Sequence, residues 1–407
     1  MMAEEFSTEL KNGNILTPKG FKAGGIHSGV KRKRNDLGII YCEKPAIAAA
    51  VYTLNKVVAA PITVTKATLK EAKKVQAVVV NSGNANACTG EQGILDAKAM
   101  QKLTAETFRI QEEHVAVAST GVIGELMPMD KIAAHIPQID VGETEAHAKA
   151  FGEAILTTDT FAKSASFQTT IDGKTVTVAG AAKGSGMIEP NMGTMLAFIT
   201  TDAVIDQAAL DALLRSVVDR TFNNITVDGD TSTNDMVLVM ASGFAGNETL
   251  TDEHPEWHKF ADAFQQTCEV LAKQIARDGE GATKLIEVEV AGAKTDEEAR
   301  KIAKAIVGSS LVKTAVYGAD ANWGRIIAAV GYSGADVNPD TIDLALGPIQ
   351  LLKESKPLKF SEEEATEYLK NDTVHIYVHL HLGDGKAKAW GCDLTYDYVK
   401  INASYRT

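Results

Sequence analysis

The stretch KGSGMIEPNMGTMLAFITTDA, from Lys183 to Ala203, leads small residues and a Pro-Asn pair through Gly193-Thr194 into an apolar run. A threonine hydroxyl is a poor nucleophile near neutral pH unless a base accepts its proton. The Ser-His-Asp solution lacks its signature here, since no G-x-S-x-G elbow occurs and no histidine sits in a tight turn after a strand. Another solution makes the nucleophile the first residue of a chain, whose own α-amine, with a pKa of about 7.7–8.0 in model peptides, is the base. That requires the bond before Thr194 to be cut. Attack of the Thr194 hydroxyl on the Gly193 carbonyl would cut it, by an amide-to-ester shift that water completes. Glycine, lacking Cβ, admits the distorted backbone and the approach of the hydroxyl. The other reading of the pair is a β-branched residue entering a strand, and on the pattern alone it is the commoner one.

Such a nucleophile must be held by rigid elements. The apolar run TMLAFIT reads as a buried strand. VQAVVV (75–80) reads as another, closed by the turn-rich NSGNANACTG and followed by helical spacing over 91–110. EHVAVAST repeats the plan, ending at Thr120-Gly121, with a helix predicted in MPMDKIAAHI. SASFQTTI and KTVTVAGA alternate around Asp172-Gly173, a strong hairpin signal because both turn residues tolerate positive φ. A long helix is predicted over 256–277, then the strand KLIEVEVAG. Capping boxes at Thr295 with Glu298 and Ser361 with Glu364 open two more helices. The class is mixed α/β with antiparallel hairpins among the helices.

Composition bounds the function. The 407 residues, 45% hydrophobic and 23% charged, are those of a soluble globular protein able to bury a core. No stretch reaches the ~20 apolar residues of a membrane span, and the amino terminus lacks the pattern of a secretory leader. Four cysteines (Cys42, Cys88, Cys268, Cys392) have neither metal-ligand nor redox spacing, which fits reduced thiols and a cytoplasmic protein. A formal charge of −12 argues against nucleic acid as a partner. KRKRND (31–36) could dock a polyphosphate, although a solvated loop is the commoner meaning of such a run. The strand TVHIYVHLHLGDG sets His375, His379 and His381 on one face; with no carboxylate or cysteine cluster beside them, that face reads as solvated rather than metal-binding.

KGSGMIEPNMGTMLAFITTD closely resembles the self-cleavage segment of the ornithine acetyltransferases, the glutamate N-acetyltransferases of the arginine pathway. NSGNANACTG (81–90), STGVIGELMPMDKI (119–132), TFNNITVDGDTSTND (221–235), ARDGEGATKLIEV (276–288), DANWGRI (320–326) and the tail YVKINASYRT resemble that family's stretches in its order and span nearly the whole chain. One departure is Gly193, where that family usually has alanine; glycine is usual there in other N-terminal-nucleophile enzymes.

The resemblance implies a layered α/β, self-processing N-terminal-nucleophile-type fold, akin to that of a β-peptidyl aminopeptidase. It also implies an α fragment of residues 1–193 and a β fragment of 194–407 that stay associated as α2β2 or larger. The implied reaction is ping-pong: Thr194 takes the acetyl group of N-acetylornithine and passes it to glutamate, with no cofactor or metal. Thr120 and Gly121 match the oxyanion-hole positions, a tight turn needing Gly121 being the other reading. Thr157, Lys183, Glu280, Asn402 and Thr407 match substrate contacts, Lys183 for a carboxylate and Glu280 for an ammonium or water. Taken singly, a lysine or glutamate is more often a surface residue. Some members also accept acetyl-CoA as a co-substrate, and no residue here separates the two classes. Two other readings stand beside this one: an amidase or aminopeptidase of the same processed type with water as acceptor, and an uncleaved glycine loop binding a small anion.

Overall fold

The structure, a computed structural model, describes residues 6–189 and 195–404. From the amino terminus run β1 (Thr8–Glu9), β2 (Phe21–Ile26), β3 (Leu37–Tyr52), α1 (Ala60–Ala72), β4 (Lys74–Asn84), α2 (Gly90–Phe108), β5 (Val115–Val122), α3 (Met129–His135), α4 (Glu145–Ala154), β6 (Lys163–Ile171) and β7 (Lys174–Lys183). Next come β8 (Leu196–Thr201), α5 (Gln207–Arg220), β9 (Ile225–Thr226), β10 (Met236–Ala241), α6 (Trp257–Arg277), β11 (Leu285–Ala293), α7 (Asp296–Gly308), α8 (Ser310–Tyr317) and α9 (Trp323–Tyr332). The chain continues through β12 (Asp343–Leu346), β13 (Ile349–Lys353), β14 (Lys356–Pro357), α10 (Glu362–Tyr368), β15 (Thr373–His379), β16 (Gly385–Cys392) and α11 (Tyr396–Ser404). The mixed α/β class is the one the sequence predicts.

Among the described residues these strands form two sheets. Nine strands make the first, in the order β1-β6-β7-β8-β10-β3-β4-β5 with β2 beside β3; seven make the second, β14-β13-β12-β15-β11-β16-β9. The predicted hairpin is present: Ile171 pairs with Lys174, and Asp172 and Gly173 take φ of 50° and 70°, as a two-residue turn requires. Strands β8 (LAFITT) and β10 (MVLVMA) are buried throughout and run parallel to each other at the centre of the first sheet. Their side chains divide by alternation. Ala197, Ile199, Val237 and Val239 join the core under α5 and α6, and Leu196, Phe198, Leu238 and Met240 join the core that holds Phe151 and Ile62. Burial on both faces explains why these segments read as unbroken apolar runs.

Helix α6 lies between the sheets. Phe260, Phe264, Cys268, Leu271 and Ile275, at helical spacing, share one core with Leu285, Trp390 and Cys392 of the second sheet. The far face of that sheet packs on α7 and α9 through Val288, Val290, Ile302, Ile306 and Val330. Both predicted caps form: Thr295 accepts from Glu298 N and Ser361 from Glu364 N, each at 3.2 Å. In β15, Val374, Ile376 and Val378 are buried while His379 and, just beyond, His381 are exposed. Among the described residues no group of three or more His, Cys, Asp or Glu is placed to hold a metal ion, and no helix is long and apolar enough to cross a membrane.

Candidate active site

Strands β4 and β5 are parallel, and their register carries Gly83 against Gly121. Gly121 has φ of 135°, and a Cβ there would lie 2.3 Å from the Gly83 carbonyl carbon and 2.5 Å from Asn84 N. The close backbone approach therefore demands glycine. Thr120, just before it, is buried at the strand end. Asn234 Nδ2 donates to the Ser119 carbonyl, which ties this end to the segment before β10.

Lys183 ends β7 and brings its ammonium in beside the same turn: Nζ donates to Thr120 Oγ1 at 3.2 Å, and only 7% of Lys183 is exposed. Burial, helped by the Lys163 charge, pulls the Lys183 pKa below the usual lysine value, against the opposing charges of Asp159, Asp235 and Glu280. A charge network lies beneath. The fully buried Lys163 ammonium is 2.7 Å from Asp159 Oδ1 and 2.6 Å from Asp278 Oδ2. Asp159 also accepts from Gly184 N at 2.7 Å and Thr157 N at 3.0 Å, which sets the segment around Thr157 against the end of β7.

The RDGEG turn after α6 supplies Glu280, buried to 8% exposure. Two glycines explain its placement. A Cβ on Gly186 would fall 2.4 Å from the Glu280 carboxyl carbon, so the loop after β7 has to be bare there. A Cβ on Gly281, at φ of 72°, would fall 2.7 Å from Tyr398 N, so α11 docks on a bare backbone. Docked, α11 donates from Asn402 Nδ2 to Glu280 Oε2 at 2.8 Å and from the Tyr398 hydroxyl to Asp228 Oδ2 at 3.3 Å. Burial, followed by the Asp228 charge, pushes the Tyr398 hydroxyl above the usual tyrosine value. Asp228 also accepts from Met187 N at 2.7 Å and Ile188 N at 2.8 Å, closing the loop against the VDGDTSTND segment.

Together these segments enclose a cavity of about 150 Å3. Of the residues singled out from the sequence, Thr120, Gly121, Thr157, Lys183, Glu280 and Asn402 line it, and so do Met195 and Leu196. Gly193, Thr194 and Thr407 lie outside the described residues. Reading by residue type missed Asp228, Asp230, Ser232, Asn234, Asp235 and Tyr398, which also line it. A signal was present in TVDGDTSTND, a turn-rich run of acidic and hydroxyl residues just before a fully buried strand.

Comparison with known proteins bears directly on this arrangement. The chain is 67% identical over 400 residues to the arginine biosynthesis bifunctional protein ArgJ of Geobacillus kaustophilus and 65% identical over 400 residues to that of Geobacillus stearothermophilus, covering 98% of both chains in each case. A crystal structure of the Bacillus halodurans arginine biosynthesis bifunctional protein argJ is 68% identical, with a TM-score of 0.52; it matches 52% of this chain and 100% of its own. Since the ArgJ family model also matches residues 22–407, every segment that builds the cavity falls inside the likeness, and the chain belongs to the ArgJ family.

Proposed function

We propose that this chain is a glutamate N-acetyltransferase of arginine biosynthesis, moving the acetyl group of N2-acetyl-L-ornithine to L-glutamate through an acetyl ester on Thr194 freed by autoproteolysis at Gly193-Thr194. The carrying observation is the convergence of Thr120, Gly121, Lys183 and Glu280 on one small cavity that Met195, the residue bonded to Thr194, also lines. Family membership and 67% identity to a bifunctional arginine-biosynthesis protein supply the reaction class.

The chemistry follows from the groups present. The α-amine of Thr194 takes the proton of its own hydroxyl as Oγ1 attacks the acetyl carbonyl. Negative charge developing on the acetyl carbonyl oxygen meets the Thr120 hydroxyl and the Gly121 turn, as donors of an oxyanion hole must. The acetyl C–N bond breaks and ornithine leaves with the proton. Glutamate then enters, its amine attacks the ester, the C–O bond breaks and the Thr194 hydroxyl is restored. Lys183 offers a cation to a substrate α-carboxylate, and Glu280 with Asp228 and Asp230 offers anions to the ornithine ammonium. We assign Thr157, Asn402 and Thr407 to substrate contacts on the same reading. The transfer uses neither metal nor cofactor; acetyl-CoA serves as a second donor, in keeping with the bifunctional name of the relatives.

The β fragment (194–407) would contribute β8 and β10, which sit between β7 and β3 of the α fragment (1–193), so cleavage leaves the two joined by sheet ladders. The solved relative, whose whole chain matches 52% of this one, has the length of one such fragment. Pairs of the cleaved unit associate as α2β2 or larger. Four unpaired cysteines favour a cytoplasmic setting.

Intact mass under denaturing conditions and terminal sequencing test the reading. Two fragments are expected, the second beginning Thr-Met-Leu, together with ornithine and N-acetylglutamate formed in equal amounts. Free acetate released at the same rate without glutamate would identify an amidase instead, and one uncut chain with full activity would overturn the mechanism.

A further inference from the structure

A basic loop beside the cavity contributes no side chain to its lining. Lys31, Arg32, Lys33 and Arg34 lie between β2 and β3, in a loop folded about one buried carboxylate. Asp36 Oδ1 accepts from Ser28 N at 2.6 Å and Ser28 Oγ at 2.7 Å, and Oδ2 accepts from Lys31 N at 2.8 Å. Arg34 takes φ of 66°, a conformation side-chain-bearing residues rarely adopt, and donates to the Asp159 carbonyl at 3.2 Å. Lys31 Nζ donates to the Leu156 carbonyl at 2.8 Å, and the Lys31 stem crosses Gly83, where a Cβ would lie 2.8 Å from Lys31 Cγ. Gly83 is the register partner of Gly121. The loop is thus rigid, and it rests on the strand end that carries the oxyanion turn.

Lys31, Lys33 and Arg34 border a groove of about 420 Å3 whose other wall is the segment 157–160. Thr157 and Thr158 line both this groove and the cavity, so the two spaces meet at one wall. The acidic group of that wall turns inward, the Asp159 carboxylate being taken up by buried Lys163 and Gly184 N. The groove therefore presents ammonium, guanidinium and hydroxyl groups, with Glu153 the acidic neighbour of Lys31 besides Asp36 and Asp159. Burial brings the Lys31 pKa down to about 8, against the pull of Asp36, and an anion beside it would favour its charged form.

We propose that this groove is a phosphate subsite, holding the diphosphate-bearing handle of an acyl thioester while its acetyl end passes Thr157 and Thr158 into the cavity. The inference rests on the transfer reading above. Size favours it: a cavity of about 150 Å3 is well below the ~300–1,000 Å3 of sites that enclose drug-sized ligands, so a nucleotide-linked donor must leave its handle outside. Paired cations on a preset loop match phosphate oxygens. In the reaction, the Thr194 hydroxyl oxygen attacks the thioester carbonyl, the C–S bond breaks, the thiol departs with the hydroxyl proton, and the acetyl ester passes to the glutamate amine as before.

The test compares three donors on the full chain: acetyl-CoA, the phosphate-free S-acetyl-N-acetylcysteamine, and N-acetylornithine. The double variant Lys33→Ala with Arg34→Gly removes two charges, and glycine suits the positive φ at 34. Its KM for acetyl-CoA should rise about tenfold or more, while kcat/KM for the other two donors stays within about twofold. ADP should compete with acetyl-CoA and not with N-acetylornithine. Lys33→Ala alone, at an exposed side chain, should move the acetyl-CoA KM in the same direction with an unchanged Tm. Equal loss with all three donors, or absence of acetyl-CoA turnover by the unmodified chain, overturns the proposal; N-acetylornithine turnover in the same preparation then judges the transfer reading separately. Binding of ADP or inorganic pyrophosphate that the double variant abolishes without moving the acetyl-CoA KM assigns the groove to a free polyphosphate and also overturns it.

Discussion

Lys183 Nζ donates to Thr120 Oγ1 across 3.2 Å, with both side chains buried. A hydroxyl that accepts from an ammonium is polarised and has its own O–H turned elsewhere, which makes it the better donor to an oxyanion. Lysine has three N–H donors, so this contact leaves two for a carboxylate. Thr120→Val should lower kcat by ~10²–10³, the usual effect of removing one oxyanion donor, with KM within about threefold. Thr120→Ser should stay within about tenfold of the parent. Steady-state kinetics with N-acetylornithine and glutamate separate these outcomes from a folding defect, in which both variants would lose activity alike.

Two glycines of the site should answer differently to the same change. At Gly121 the atoms a Cβ would meet are backbone, at 2.3 and 2.5 Å, and φ is 135°. Gly121→Ala must part β4 from β5, so Tm and soluble yield should fall. At Gly186 the obstacle is the Glu280 carboxylate, the far end of a side chain and not backbone. Gly186→Ala should leave Tm within about 2 °C, displace Glu280 and raise KM for N-acetylornithine. Thermal melts run beside kinetics check both.

The buried Asp159–Lys163–Asp278 network gives a pH prediction. Burial alone would raise the Asp159 carboxyl, but the Lys163 and Lys183 charges outweigh it and hold the carboxyl well below the usual value. Its folded value is thus depressed, so its stabilising contribution is complete above the unfolded value near 4 and fades as pH falls below it. Lys163→Met removes the cation and leaves two carboxylates in the interior, at a cost of about 3–5 kcal/mol near pH 8. At Asp159 burial then outweighs the remaining Lys183 charge, its carboxyl rises above its unfolded value, and the variant gains stability as that carboxyl takes up a proton on acidification. The Tm gap between parent and variant should narrow between pH 8 and pH 5. A gap that stays constant would mean that the Asp159 carboxyl does not respond to Lys163.

How much of this was legible depended on whether a signal was local. The hairpin at Asp172-Gly173, the strand ending at Thr120-Gly121, and the caps at Thr295 and Ser361 are local, and each stands where its sequence puts it. Thr120, Lys183 and Glu280 were found by resemblance; only the sheet shows why they meet, since Lys183 pairs with Leu196 while Thr120 lies several strands away. Asp228 and Tyr398 were missed because their hydrogen bond joins positions 170 residues apart. KRKR read most simply as a solvated loop; the buried Asp36 and the wall shared with the cavity are tertiary facts.

Helix α11 leads to a prediction about binding. It has no buried residue, Tyr396 being 83% and Val399 65% exposed, so packing holds it weakly. Its contacts with the site are Asn402 to Glu280 and Tyr398 to Asp228. Asn402→Ala should therefore raise KM for N-acetylornithine about threefold to tenfold with kcat within twofold, and deletion of residues 400–407 should raise it further, both with little change in Tm. Unchanged kinetics in the deletion would remove α11 and Thr407 from the substrate contacts.

The last prediction concerns the two fragments after cleavage. Strand β8 pairs antiparallel with β7, Val178 opposite Thr201 through Lys183 opposite Leu196, and β10 pairs antiparallel with β3, Met236 opposite Tyr52 through Ala241 opposite Ile47. A cut at 193/194 thus severs one peptide bond and leaves both ladders, with the apolar faces of β8 and β10 buried between two cores. Separating the pieces would expose those faces and the strand edges of both partners, which costs as much as unfolding the sheet. The cut protein should elute as one species under native conditions, resolve into two bands only under denaturing conditions, and melt in one transition followed alike by both fragments. Two separate transitions, or a β fragment recovered folded by itself, would show that the shared sheet does not hold the pieces together.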